Sequence, residues 1–262
     1  MQTTNIANVF IQALRPNRFF VMLKKIRKRL VDEKGHHSES ANLEWLESHC
    51  SDFKELAISL DTALWEDADK ASKTLENNAE KILESIEYNL GGGGIYPFLY
   101  FITLFTKPDC IVETGVGAGF SSYAFLAAIK VNGRGKLYSS DFPYFRLPDP
   151  ESYIGIVVEE SLKDNWELYI DGDEANLPRI LNSIKEVDIF HYDSDKTYSG
   201  RKMAMSVIES ALSEDGIILM DDIQDNSFFR DYVEEKNAQS WYIFKFKGKY
   251  VGMIGKLTRR CL

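Results

Sequence analysis

Residues 111–122 read Ile-Val-Glu-Thr-Gly-Val-Gly-Ala-Gly-Phe-Ser-Ser. Two apolar residues, Ile111 and Val112, run into an acidic one, Glu113. Glycine then stands at every second position, Gly115, Gly117 and Gly119, and small residues, Ser121 among them, open an apolar stretch. In that order the dozen reads as a strand, a tight glycine turn and a helix N-terminus. This arrangement lays a nucleotide-like ligand across the edge of a parallel sheet. The spacing is E-x-G-x-G-x-G, not the G-x-G-x-x-G of a dinucleotide turn. A glycine-rich turn of any α/β protein would share part of it.

Outward from this turn, helical and extended patterns alternate. The spacing predicts helix 96–105, strand 109–114, helix 120–131 and strand 136–140. A polar, aromatic-rich excursion follows over 142–165, then strand 167–170, helix 176–184, strand 187–192, helix 200–212 and strand 216–220. Such alternation means a parallel sheet wound with helices on both faces. The end differs: after helix 226–236, the runs Trp241–Phe246 and Tyr250–Gly255 are separated only by Lys247-Gly-Lys. Strands joined by so short a turn must be antiparallel.

Upstream, Leu43, Leu46, Cys50, Phe53, Ala57, Leu60 and Leu64 fall in steps of three and four, one apolar helical face. A second helical pattern runs through Leu75, Ala79, Ile82 and Ile86. Gly91 to Gly94 then break the helix. This divides the chain into a helical N-terminal region, 1–90, serving as lid or dimerisation element, and a ligand-binding domain, 91–262. Four glycines beside a site would also let the backbone approach a ligand closely.

A chain of 262 residues, 44% hydrophobic and 27% charged, holds one full α/β domain with an appendage. Its three cysteines, Cys50, Cys110 and Cys261, lack metal spacing and suggest a reducing, cytoplasmic setting. The longest apolar stretch, Ile95 to Thr106, is too short to span a bilayer. The net charge of −9 is unevenly spread. Residues 1–35 carry eight Lys/Arg against Asp32 and Glu33, or +6, which leaves −9 − 6 = −15 for the rest. An acidic body argues against nucleic acid as principal substrate. The basic run within 15–30 is either a solvated helix face or a contact for an anionic membrane surface or partner.

The E-x-G-x-G-x-G turn and the terminal hairpin resemble the class I S-adenosylmethionine-dependent methyltransferases, a Rossmann-like fold. The resemblance covers roughly residues 91–256. It implies S-adenosylmethionine as cofactor, held by the glycine loop, with Glu113 at its amino acid end. Asp141, closing Leu137-Tyr-Ser-Ser-Asp, is expected to accept the ribose hydroxyls, and Asp173 in Asp171-Gly-Asp-Glu-Ala to frame the adenine. The next strand ends read Asp193-Ser-Asp195-Lys196 and Asp221-Asp222. Clustered carboxylates are unfavourable without a cation or protons between them, and Mg²⁺ would resolve the clash. The pattern resembles the cation-dependent O-methyltransferases of the catechol and caffeoyl-coenzyme A type. It also resembles a group that includes sugar O-methyltransferases and cephalosporin-hydroxylase-like proteins. Carried over, Asp193, Asp221 and Asp222 become metal ligands, Asp193 also bordering the cofactor. Lys196 becomes the general base, with Asp195 as rival; a plain salt bridge from Lys196 to either Asp remains the alternative. The expected reaction is methylation of a hydroxyl on a small molecule, a sugar, diol or phenol, by a homodimer or larger oligomer. A metal-independent methyltransferase and a non-catalytic cofactor-binding subunit are the competing readings.

Overall fold

The computed structural model describes residues 19, 21–23, 27, 31–32, 35–145 and 147–259. Cys261 and most of the basic run 15–30 lie outside them. Among the described residues, one mixed sheet has the strand order β1-β7-β8-β6-β5-β2-β3-β4. The strands are β1 (Cys50–Ser51), β2 (Cys110–Thr114), β3 (Lys136–Ser140), β4 (Trp166–Tyr169), β5 (Val187–Tyr192), β6 (Leu212–Met220), β7 (Trp241–Phe246) and β8 (Lys249–Ile254). Strands β2 to β6 run parallel, while β8 is antiparallel to both β6 and β7.

The helices divide between the two faces, because successive strand residues point to opposite sides. On one face, Ile111, Ile189 and Leu219 pack with Trp65 and Ala68 of α3 (Thr62–Leu83), Phe98 and Phe101 of α4 (Tyr96–Thr106) and Phe125 of α5 (Phe120–Asn132). On the other, Val112, Phe190 and Met220 meet Leu177 of α6 (Asp173–Ser183), Ala204 and Ile208 of α7 (Tyr198–Ile208) and Phe229 of α8 (Phe228–Glu235). The aromatic run of α4 is buried almost throughout, which explains its lack of a polar stripe.

The apolar stripe expected through 43–64 is broken twice. Helix α1 (Glu39–Ser48) ends before β1, which adds a short parallel edge to β7, and α2 spans Phe53–Leu60. The breaks follow from caps: Asp52 accepts the Lys54 amide at 2.7 Å and Asp61 accepts that of Leu64 at 3.0 Å. Side-chain periodicity ran on while the backbone restarted. Residues 39–83 contribute both an edge strand and core side chains to the same body. β6 begins four residues earlier than its apolar run, because Leu212 to Gly216 lie at the less buried end of the sheet. No helix among the described residues is long and apolar enough to cross a membrane.

Candidate functional site

The carboxyl ends of β2 to β6 open onto one cavity of about 740 Å³. Its walls are the glycine loop 115–121, segments 141–145, 171–175 and 193–196, and the glycine run 91–93, with Met203, Asp222 and Lys249. Ligands of doubly wound sheets sit at this edge, where loops leave the strand ends.

The loop geometry requires its glycines. Gly115, Gly117 and Gly119 have φ of +81°, +55° and +103°, the left-handed region costly to other residues. A Cβ on Gly115 would also fall 2.3 Å from the Asp193 carbonyl oxygen. Asp141 braces the loop from the next strand. Its Oδ2 accepts the amides of Val116 (3.1 Å) and Gly117 (2.9 Å), and its Oδ1 that of Phe142 (2.6 Å). The carboxylate expected to meet ribose therefore also fixes the loop backbone, while remaining on the cavity wall. Asp173 opens α6 on the same wall, with its carboxylate accepting the hydroxyls of Ser140 (2.7 Å) and Ser194. Ser121 lines the cavity as expected.

Glu113 is elsewhere. It is fully buried and absent from the cavity wall, with Oε2 accepting the hydroxyls of Ser122 (2.5 Å) and Ser139 (2.8 Å). Its Oε1 faces His191 Nδ1 at 3.6 Å. The acidic residue of the motif ties β2 to α5 and β3 from beneath the loop, set back from the cavity wall where the resemblance expects the cofactor's amino acid end. Its position one residue before the end of a fully buried strand explains this, since the side chain points into the packed layer.

At the far side of the cavity, charges interlock. The Lys196 ammonium pairs with Asp193 Oδ1 and lies 3.0 Å from Asp222 Oδ2. Lys249, from β8, lies 3.0 Å from Asp222 Oδ1. Burial and the Asp221 charge raise the Asp193 carboxyl to about 6, against the pull of Lys196 and His191. Burial disfavours the Lys196 charge, but Asp193 and Asp222 outweigh it and raise its pKa. Asp222 is lowered to about 2, the two lysines overcoming its burial. Lys196 is therefore held protonated, as the salt-bridge alternative has it, and in this arrangement is not a free base. Asp195 lines the cavity and accepts the amide (3.1 Å) and hydroxyl (2.8 Å) of Thr197, fixing the start of α7.

Asp221 is turned inward. It is buried, absent from the cavity wall, and its Oδ1 lacks a hydrogen-bond partner while facing His191 Nε2 at 3.8 Å. Asp193, Asp221 and Asp222 thus do not converge on one point. Among the described residues no group of three His, Cys, Asp or Glu is placed to hold a metal ion. As placed, the residues do not fit the magnesium site that the resemblance implies.

Two residues, Arg201 and Lys249, escaped the sequence reading, whereas Tyr144 belongs to the aromatic excursion and does line the cavity. Arg201 is fully buried and donates from one nitrogen to the carbonyls of Asp221 (3.0 Å) and Asp222 (2.8 Å), clamping a corner where Asp222 has φ +55°. Tyr144 bridges to Leu90 across the glycine loop. Lys249 follows a turn that reads simply as solvated. Only a lysine placed beside a tight turn, facing an acidic pair three elements away, signals the last, and no local pattern reveals that pairing.

Residues 112–223 match a family profile described as a methyltransferase domain. An O-methyltransferase from Bacillus cereus, in complex with SAH, aligns with a TM-score of 0.54 at 15% identity, over 70% of this chain and 91% of that one. The O-methyltransferase TomG from Streptomyces achromogenes, involved in tomaymycin synthesis and bound to SAM, gives 0.52 at 13% identity, over 70% and 89%. Ribosomal RNA large subunit methyltransferase E of Methanosphaera stadtmanae is 23% identical over 125 residues, 47% of this chain. The chain spans 61% of the length of that curated relative. At these identities the structural likeness is one of fold.

Proposed function

We propose that this chain, whose residues 112–223 match a methyltransferase-domain profile, is an S-adenosylmethionine-dependent enzyme that methylates a hydroxyl of a small molecule, a sugar, diol or phenol. One observation carries the reading: a single cavity joins the glycine loop to the Asp193, Asp195 and Lys196 cluster. A methyl donor on the loop and an acceptor at the cluster would share one chamber. The O-methyltransferase neighbours are consistent with this chemistry. The body charge of −15 outside residues 1–35 favours a free small molecule over nucleic acid as acceptor.

Methyl transfer needs alignment more than activation, because the sulfonium already activates the methyl. An acceptor oxygen lone pair attacks the methyl carbon, the carbon–sulfur bond breaks, and its electron pair returns to sulfur to leave S-adenosylhomocysteine. The hydroxyl proton must depart. Asp193, on the cavity wall and a carboxylate above about pH 6, is the group suited to take it. Lys196 orients that carboxylate and places positive charge beside the oxygen as it loses its proton. Asp141 and Asp173 hold the loop and the adenosine side of the chamber. Because the carboxylates do not assemble a ligand set for Mg²⁺, no step is routed through a metal.

Calorimetric titration of S-adenosylmethionine, followed by S-adenosylhomocysteine release across a panel of sugars, diols and phenols, tests this. Micromolar binding with product from one hydroxyl class is the expected result. Absence of cofactor binding overturns the reading, and tight binding with no product from any hydroxyl leaves a non-catalytic binding protein.

A further inference from the structure

We propose that Lys249 completes a built-in cation site: with Lys196 it places two ammonium groups on Asp193 and Asp222, where the resemblance of the strand-end motifs to cation-dependent O-methyltransferases implies a divalent metal. The inference rests on the chamber being the methyl-transfer site, and it concerns what balances the charge there.

Lys249 belongs to the C-terminal hairpin, outside the strand-end motifs, yet its Nζ lies 3.0 Å from Asp222 Oδ1 and 3.1 Å from Oδ2. Lys196 meets Asp222 Oδ2 at 3.0 Å and pairs with Asp193 Oδ1. Both oxygens of Asp222 therefore carry an ammonium, and two negative charges are met by two positive ones. The corner is fixed from three sides. Arg201 binds the Asp221 and Asp222 carbonyls, the Gln224 side-chain amide donates to Asp222 Oδ1 at 3.2 Å, and the Tyr250 amide donates to Gln224 Oε1 at 2.9 Å. The last bond ties β8, and Lys249 with it, to the acidic corner. A third carboxylate is missing from the cluster because Asp221 faces His191. A divalent ion entering between Asp193 and Asp222 would meet two ammonium groups already seated, and like charges a few ångströms apart repel strongly in a partly buried site.

The test is Mn²⁺ binding to the full chain, read by electron paramagnetic resonance of free and bound ion, with and without saturating S-adenosylmethionine. The wild type is expected to show no one-to-one binding. Lys249→Met, at an exposed side chain, is expected to bind Mn²⁺ at least about tenfold more tightly than wild type, since one positive charge beside a divalent ion is worth about that factor. Lys249→Arg, keeping the charge, is expected to behave as wild type. One Mn²⁺ per wild-type chain with Kd under about 100 µM, the range of built cation sites, overturns the proposal, as does a Lys249→Met protein that binds no more tightly than wild type. Cofactor titration of the same samples keeps the two readings apart: lost S-adenosylmethionine binding counts against the methyltransferase assignment, while the Mn²⁺ result alone decides the cation site.

Discussion

Gly94 lies so close to Asp221 that a methyl group at residue 94 would fall 1.8 Å from Oδ2 and 2.7 Å from Cγ. The residue entering α4 thus presses on the end of β6, and the contact helps keep the Asp221 carboxylate directed toward His191 rather than the cavity. Of the four consecutive glycines, Gly91, Gly92 and Gly93 line the chamber. At Gly94 the absence of a side chain is what allows this approach to Asp221.

Gly94→Ala should overpack this contact at a cost of about 1–3 kcal/mol. Each kcal/mol lowers Tm by roughly 2–4 °C in a chain of this size. Gly92→Ala, with nothing within 4 Å of its added Cβ, should stay within about 0.5 kcal/mol of wild type. Thermal unfolding of the two variants side by side checks the contrast; equal losses would mean the loop does not rest on Asp221.

His191 makes stability depend on pH in a definite direction. Burial disfavours its charge, but Asp221 and Glu113 outweigh burial and raise its pKa from 6.5 to about 10. The folded value lies above the unfolded one, so the stabilisation is fully present below about pH 6.5 and is lost as pH rises toward 10. Urea unfolding at pH 6, 8 and 9.5 should show falling stability across that window. His191→Gln should be less stable at pH 6 and much flatter in its response. An unchanged slope in the variant would remove His191 from the account.

The residues that announced the fold were those whose local conformation and burial agree. The glycine loop needs positive φ at three places, the strands alternate between two apolar layers, and Lys247-Gly248 can only turn tightly. Each is a property of a few adjacent residues and is visible in a string. The site was legible as a set of strand ends but not as contacts. Glu113 and Asp221 sit at the expected positions, yet both face His191, a partner 191 − 113 = 78 residues from one and 221 − 191 = 30 from the other. The resemblance implies that Lys196 is a base, while the second carboxylate that keeps it charged, Asp222, comes from another strand. Arg201 sits three residues inside a helix, beside Lys202, so nothing local distinguishes it from a solvated arginine.

Turnover should identify the proton acceptor. With Asp193 at about 6, kcat should rise with pH through about 6 and level off near neutrality, because only the carboxylate accepts a proton. Lys196, raised above its ordinary 10.5, would instead place the rising limb in strongly alkaline solution. Asp193→Asn should lower kcat by about 10²–10⁴ with little change in S-adenosylmethionine affinity. A limb that persists near pH 6 in this variant would transfer the role to another group.

Cofactor exit should be governed by Tyr144. Its hydroxyl donates to the Leu90 carbonyl at 3.0 Å, joining the segment after β3 to the start of the glycine run. The pair stands over the loop: a Cβ on Gly117 would lie 3.1 Å from the tyrosine oxygen and 3.3 Å from Leu90 O. Two walls of the chamber are thus joined above the glycine loop by a neutral hydrogen bond. Such a bond contributes about 1 kcal/mol, or roughly fivefold in a rate that requires it to break. Tyr144→Phe keeps the ring packed and removes only the donor, so S-adenosylhomocysteine should dissociate about fivefold faster in stopped-flow displacement. Association should change little, since the open form must already lack the bond. If dissociation is unchanged, the two segments do not part on the exit path, and the ligand leaves by the side of the chamber lined by residues 171–175 instead.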